Sequence, residues 1–323
     1  MSRIPSSLVL LAACHGHVES PAATRVGPAL AAAVAAAESA RGPWRCTAAD
    51  LPALADDAFT AGAHRWKLHG HALHRDDAGD TATIAFVADA GGGTPATLAA
   101  LGRLRGQLDA AAPDVVIALG GMGETEADLE ATLGVLADRA SFPVVALPGD
   151  LEPEPAELAA LTALAKHGAR VIDGRRARWI ELPVATIATI PGAGAASRLA
   201  AGPEGCAWTA PEVTAIYGAL AAHDGIRVAA TAEAPREAPG GQPTGELALV
   251  PPPAQVDVVI HGPTREAPSA ARSGARDGAA AALSPGTSDA STRLPAPHVP
   301  SAGLLAIRGA TWTWRPLRDD RSR

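Results

Sequence analysis

Three times between residues 81 and 167, a short apolar run stops at a glycine-containing loop and resumes as a segment with helical spacing. The runs Thr83-Ile-Ala-Phe-Val-Ala88, Asp114-Val-Val-Ile-Ala-Leu119 and Pro143-Val-Val-Ala-Leu147 are too short for helices. They are also too continuously apolar for strands with one wet face, so each predicts a strand buried on both sides. The intervening loops carry Gly91-Gly92-Gly93, Gly120-Gly121-Met122-Gly123 and Pro148-Gly149. Helix signals follow each loop. Thr94 is suited to an N-cap with Pro95 at the first helical position, and Leu98, Leu101, Leu104 and Leu108 share one face. Thr125 with Asp128 resembles a capping box, ahead of Leu129, Leu133 and Leu136. A third helix is expected over residues 155–167. Strand, loop and helix in this order, repeated, require an α/β fold with a mostly parallel sheet covered by helices.

Beyond residue 170 the alternation changes. Residues 171–172, 179–182, 185–190, 226–231 and 256–260 predict strands, with one helix over 211–223. Residues 304–307 and 311–314 predict a closing hairpin turning at Arg308-Gly309-Ala310, with Trp312 and Trp314 on one face for packing. Residues 234–255 and 264–303 are rich in Pro, Gly, Ser and Ala and are expected as surface loops, with an ordered piece around 279–286. Upstream, residues 44–80 contain Trp44, Cys46, Trp66 and a candidate strand over 66–73. They are expected as an N-terminal embellishment packed on a domain spanning 81–317.

The amino terminus carries one cation, Arg3, then Leu8-Val9-Leu10-Leu11 and the small residues Ala12-Ala13 before Cys14. This resembles a bacterial lipoprotein signal with its lipobox. The resemblance implies a signal peptide over 1–13, a lipid on Cys14, and a tether over 14–43. It places the protein in the bacterial cell envelope, facing the periplasm or the exterior, with the membrane as its first partner. An oxidising compartment makes a disulfide between Cys46 and Cys206 the expectation, with two separate thiols as the alternative. A formal net charge of −7 excludes the basic face that a nucleic-acid partner requires.

The order of the strand-end loops resembles the calcineurin-like metallophosphoesterase superfamily over about residues 81–317, and implies its layered α/β sandwich. That family holds two metal ions at the carboxyl ends of its strands, where they activate water and neutralise phosphate. Here the frame is kept and most ligands are replaced. The first motif, Asp-x-His, is Asp89-Ala90-Gly91. The second, which supplies a bridging carboxylate, is Gly120-Gly121-Met122. The third, Gly-Asn-His followed by an acid, is Gly149-Asp150-Leu151-Glu152. A late His is replaced by Glu233, and the final Gly-His-x-His is Gly262-Pro263-Thr264-Arg265. Fold alone does not license a reaction, so the resemblance implies a degenerate, non-catalytic member.

Four carboxylates, Asp89, Asp150, Glu152 and Glu233, are the candidate metal ligands. They are hard donors suited to at most one divalent cation such as Ca²⁺ or Mg²⁺. No other cofactor is expected. The rival reading is a divergent metal-dependent phosphoesterase that uses Asp89, Asp150 and Glu152. The turn Gly91-Gly92-Gly93-Thr94 leads into a helix N-terminus whose free N–H groups could hold an anion. A tight turn explains the same glycines. His69 and His71 alternate on a candidate strand without a completing ligand. No Gly-x-Ser-x-Gly elbow and no credible cysteine nucleophile is present. The function expected is that of an envelope lipoprotein serving as a binding or structural protein with an envelope protein partner.

Overall fold

Glycines cut the first ordered stretch into short strands. In the computed structural model the described residues are 44–47, 51–194, 199–236, 246–252, 254–262, 268–276, 280–290 and 299–319. The signal peptide expected over 1–13, Cys14, the tether expected over 14–43, and Pro263, Thr264 and Arg265 lie outside them. Strand β1 (Trp44–Arg45) precedes β2 (Asp57–Ala61), β3 (His64–His69) and β4 (Ala72–Arg75), and the last three pair antiparallel in sequence. Gly62 and Gly70 make the turns with φ of 59°, a left-handed conformation that costs glycine nothing sterically. The single strand expected over 66–73 is therefore two strands divided at Gly70.

The repeated unit follows. β5 (Thr81–Val87), α1 (Pro95–Ala111), β6 (Val115–Leu119), α2 (Glu126–Ala137), β7 (Val144–Leu147), α3 (Glu154–Lys166) and β8 (Val171–Asp173) alternate, and β5 to β8 pair parallel. The Thr94 side chain accepts from the Thr97 N–H, and Thr125 accepts from the Asp128 N–H, so both helices start where their caps predict. Next come β9 (Trp179–Leu182), β10 (Ala185–Ile190), β11 (Cys206–Ala207), α4 (Ala210–Leu220), β12 (Ile226–Thr231), β13 (Val258–His261), β14 (Arg272–Ala275), β15 (Ala281–Leu283), β16 (Ser301–Arg308) and β17 (Thr311–Arg318).

Two sheets result. One has eight strands in the order β15-β13-β12-β10-β9-β4-β3-β2, the other seven in the order β14-β17-β16-β5-β6-β7-β8. Both are mixed: β15-β13-β12-β10 and β5-β6-β7-β8 pair parallel out to one edge of each sheet, and the strands beyond β10 and β5 pair mostly antiparallel. Ile84, Phe86, Ile117 and Leu147 of one sheet pack against Ile187, Val228 and Ile260 of the other. On the outer face of the first, Val87, Val116 and Val144 meet Leu101, Leu104, Leu133 and Leu164 from α1, α2 and α3. On the outer face of the second, Ala188, Ala229 and Val259 meet Val213, Ile216 and Tyr217 from α4. The protein is a layered α/β sandwich: helices, sheet, sheet, helix.

Two regions differ from the sequence reading. Residues 57–75 continue the eight-stranded sheet, because β4 pairs parallel with β9. Parts of the Pro/Gly/Ser-rich stretches lie inside, while most described residues of 234–255 and 268–276 keep solvent contact. Leu249 and Val256 are fully buried, as are most of residues 281–289. Their polar groups are answered within the fold: the Thr287 hydroxyl donates to the Asp89 carbonyl and the Ser288 hydroxyl to the Ala88 carbonyl. Trp312 and Trp314 are buried between the sheets, with Trp314 lying over Gly303.

The sandwich brings the carboxyl ends of its parallel strands together. Gly192 N–H, after β10, donates to the Pro148 carbonyl after β7 over 2.7 Å. Gly262, after β13, lies so close to the Leu119 and Ala232 carbonyls that a side chain there has no room.

Candidate functional site

Asp89 follows β5 in a left-handed conformation, φ 53°, which aspartate tolerates better than most residues. Its N–H donates to the Gly120 carbonyl, and its carbonyl accepts from the Thr287 hydroxyl and the Asp289 N–H. Its side chain is buried. Gly121 packs directly on it. A Cβ at position 121 would lie 2.8 Å from the Asp89 Cα and 3.2 Å from its Oδ1, and Gly121 itself has φ 70°. The place where the resemblance puts a bridging carboxylate is thus filled by the backbone of the first motif.

Glu152 closes the gap between the next two loops. Its Oε1 accepts from the Met122 N–H at 2.6 Å and its Oε2 from the Gly149 N–H at 2.8 Å. Glycine makes this reach available, because a Cβ on Gly120 would lie 2.7 Å from the Gly149 Cα. Glu152 is only 2% exposed. Burial pushes its carboxyl up to about 7, against the opposing pull of the two amides.

The Gly91–Thr94 turn is engaged in the same way. Gly91 N–H donates to the Gly121 carbonyl, and Gly93 N–H donates to Asp128 Oδ1 at 2.9 Å. Two of the amides considered for an external anion therefore already serve partners within the chain. Thr94 is committed as the cap of α1. Gly92 faces the Asp128 carboxylate, whose Oδ1 would be 3.4 Å from a Cβ.

Glu233 follows β12 and accepts from the Gly194 N–H through Oε2 at 2.9 Å. The Asp150 carbonyl accepts from the Ala201 N–H. Glu124 is exposed. His261 is buried, and burial drives its imidazole down to about 4, so it is neutral at pH 7. Among the described residues no group of three or more His, Cys, Asp or Glu is placed to hold a metal ion. The four candidate ligands do not fit a metal pair. Gly121 has no space for the bridge, Glu152 is held between two amides with one N–H on each oxygen, and Glu233 turns to Gly194. His69 pairs with Asp56, and the His71 ring nitrogen lies against the Arg176 carbonyl.

Cys46 and Cys206 form a disulfide across a sequence separation of 160. It joins β1 to β11, which pair parallel, and Arg45 forms an ion pair with Glu212 beside it. Cys206 packs on Gly192, next to the strand-end loops.

Several participants carry no sequence signal for their role. Asp128 reads as a cap, yet its carboxylate also reaches Gly93. Asp289 sits in a stretch of loop-like composition, yet it is buried, accepts from the Thr97 hydroxyl and lies against Gly91. At the end of β8, Asp173 holds Arg175 through two oxygens, and Glu157 of α3 lies buried 3.8 Å from Arg175. Burial raises the Glu157 carboxyl well above its ordinary value.

No protein-family model and no curated protein matches the sequence. Solved structures do resemble the fold. One solved chain is 12% identical, with a TM-score of 0.50 over 74% of this chain and 99% of its own. TT1561 of Thermus thermophilus is 14% identical, with a TM-score of 0.43 over 70% of this chain and 94% of its own. GAP50, the anchor in the inner membrane complex of Plasmodium, is 9% identical, with a TM-score of 0.48 over 76% of this chain and 87% of its own. At these identities the likeness is one of fold.

Proposed function

We propose that this chain is a non-catalytic relative of the metallophosphoesterases that acts as a binding or structural protein in the bacterial cell envelope. A lipid on Cys14 would hold it to the membrane, and a second envelope protein would be its partner. The observation that carries the non-catalytic reading is positive packing at Gly121. Backbone of Asp89 fills the space that a metal-bridging carboxylate would need. Two-metal hydrolysis depends on such a bridge to hold its ions about 3.5–4 Å apart. Carboxylates committed to amides, Glu152 above all, support the same reading.

The test is a metal count with an assay. The purified full-length chain is loaded with Mn²⁺, freed of excess, and measured by mass spectrometry, then offered phosphomonoesters and phosphodiesters. The expected result is no stoichiometric metal and no turnover. Two metals per chain with hydrolysis, lost in both Asp89→Ala and Asp150→Ala, would establish the divergent phosphoesterase instead. The anchor has its own test. Cys14→Ala should move the protein out of the membrane fraction, and unchanged membrane association would remove the lipid from the account.

A further inference from the structure

We propose that the Met122 and Gly149 N–H groups form a two-donor oxyanion hole that Glu152 plugs from within the chain. The hole would accept a small carboxylate or phosphoryl group only when that side chain is withdrawn. The inference goes beyond the non-catalytic reading, since it stands on hydrogen bonds present whether or not the protein turns over a substrate.

The donors belong to separate loops, after β6 and after β7, yet they converge within the bite of one carboxylate, at 2.6 and 2.8 Å. Preorganised backbone amides at strand ends are how proteins bind oxyanions. The convergence depends on glycine. Gly120 and Gly149 let the two loops touch, and a Cβ on Gly149 would press to 3.3 Å from the Glu152 Oε2. Elsewhere at these strand ends a carboxylate oxygen answers one glycine amide, as Asp128 does for Gly93 and Glu233 for Gly194. Glu152 spans two, and it is more deeply buried than either. It stands on the loop between β7 and α3, three residues from one of its own donors. The plug can therefore leave by movement of that loop without breaking a sheet. Two buried amides without an acceptor are costly, so the vacated hole would favour an anion of matching size.

Formate is the probe, because it presents two oxygens at carboxylate spacing and little else. The full-length Glu152→Ala variant is melted at pH 8 in formate and in chloride of equal ionic strength. The substitution is expected to lower the melting temperature by about 5 °C. Formate is expected to restore at least half of that loss saturably, while leaving the wild type unmoved. Glu152→Gln keeps the volume but turns an amide NH₂ toward one N–H donor. Formate should not shift its melting temperature, because the hole stays filled. Equal formate effects on Glu152→Ala and wild type, or a formate effect on Glu152→Gln as large as on Glu152→Ala, would overturn the proposal. If Glu152→Ala does not fold when expressed, its refolding yield in formate against chloride reads the same comparison, and equal yields would overturn it. These outcomes are independent of the metal count, so the plug and the non-catalytic reading can fail separately.

Discussion

Replacing Gly121 tests most directly why the strand ends carry no bridging ligand. Gly121→Ala places a Cβ 2.8 Å from the Asp89 Cα at φ 70°. A non-glycine residue in the left-handed region costs about 1–2 kcal/mol. Overpacking against rigid backbone adds about 1–3 kcal/mol. The sum is about 2–5 kcal/mol, which moves a urea midpoint by about 1–2 M at a slope near 3 kcal/mol/M. Gly121→Asp introduces the carboxylate that the metallophosphoesterases carry at the corresponding motif and should cost at least as much, because it adds a charge beside Asp89. The assay is urea unfolding of both variants with and without Mn²⁺. A metal that binds only the folded state at 100 times its dissociation constant would stabilise by about 2.7 kcal/mol. None of that recovery is expected in Gly121→Asp, since Glu152 and Glu233 remain turned to backbone amides. Wild-type stability in Gly121→Ala would refute the steric reasoning. Selective rescue of Gly121→Asp by Mn²⁺ would refute the claim that the site does not fit a metal pair.

Buried Glu152 and His261 give opposite pH signatures. The Glu152 carboxyl rises from 4.5 to about 7 on folding, so its contribution is full below pH 4.5 and is lost as pH rises to about 7. The His261 imidazole falls from 6.5 to about 4, so its contribution is full above pH 6.5 and is lost as pH falls to about 4. Each swing is at most about 3.4 kcal/mol. Urea midpoints across pH 4–8, taken as variant minus wild type, should rise with pH for Glu152→Gln and fall for His261→Gln; flat difference curves would discard both assignments. The disulfide closes a loop of about 160 residues, for which the chain-entropy model gives an upper bound near 5 kcal/mol. Reduction, or the Cys46→Ala/Cys206→Ala pair, should therefore lower the urea midpoint strongly, and an unchanged midpoint would mean that the bridge does not form in solution. Asp128→Ala removes the acceptor of the Gly93 N–H and a partner of the Thr125 hydroxyl. A loss of about 1–2 kcal/mol is expected for this partly exposed pair, read from the thermal midpoint.

The repeated unit was legible because its signals are local. Apolar runs, caps at Thr94 and Thr125, and leucine spacing decide strand and helix within a dozen residues. Their order gave a parallel sheet under helices, and the layered sandwich was implied only by the resemblance of the strand-end loops to the metallophosphoesterases. Burial of residues 281–289 was not legible, because Pro, Gly, Ser and Thr composition reads as loop wherever side-chain hydroxyls are assumed to face water. Here Thr287, Ser288 and Ser301 each donate to a backbone carbonyl, which removes the penalty for going inside. The split at Gly70 was missed for a related reason: an isolated glycine in an apolar run is ambiguous until its φ is known. The identity of the strand-end residues was read correctly from the sequence, but their partners were not. Whether Glu152 faces a cation or an amide depends on how closely two loops approach, and that distance is set by glycines in both.

The same glycines explain why ligand loss and loop closure belong together. A strand-end loop that coordinates metal keeps its side chains pointing into a shared space and leaves that space open. Here glycine at position 121 lets the Asp89 backbone lie against it, and glycines at 120 and 149 let the second and third loops touch. Closure then buries backbone N–H groups that need acceptors. Asp128, Glu152 and Glu233 supply those acceptors to Gly93, Met122, Gly149 and Gly194. Each carboxylate so used is held toward an amide, and each amide so satisfied holds the loops nearer together. Reverting one ligand leaves the remaining contacts intact, so a single substitution meets a closed site and its cost appears as lost stability.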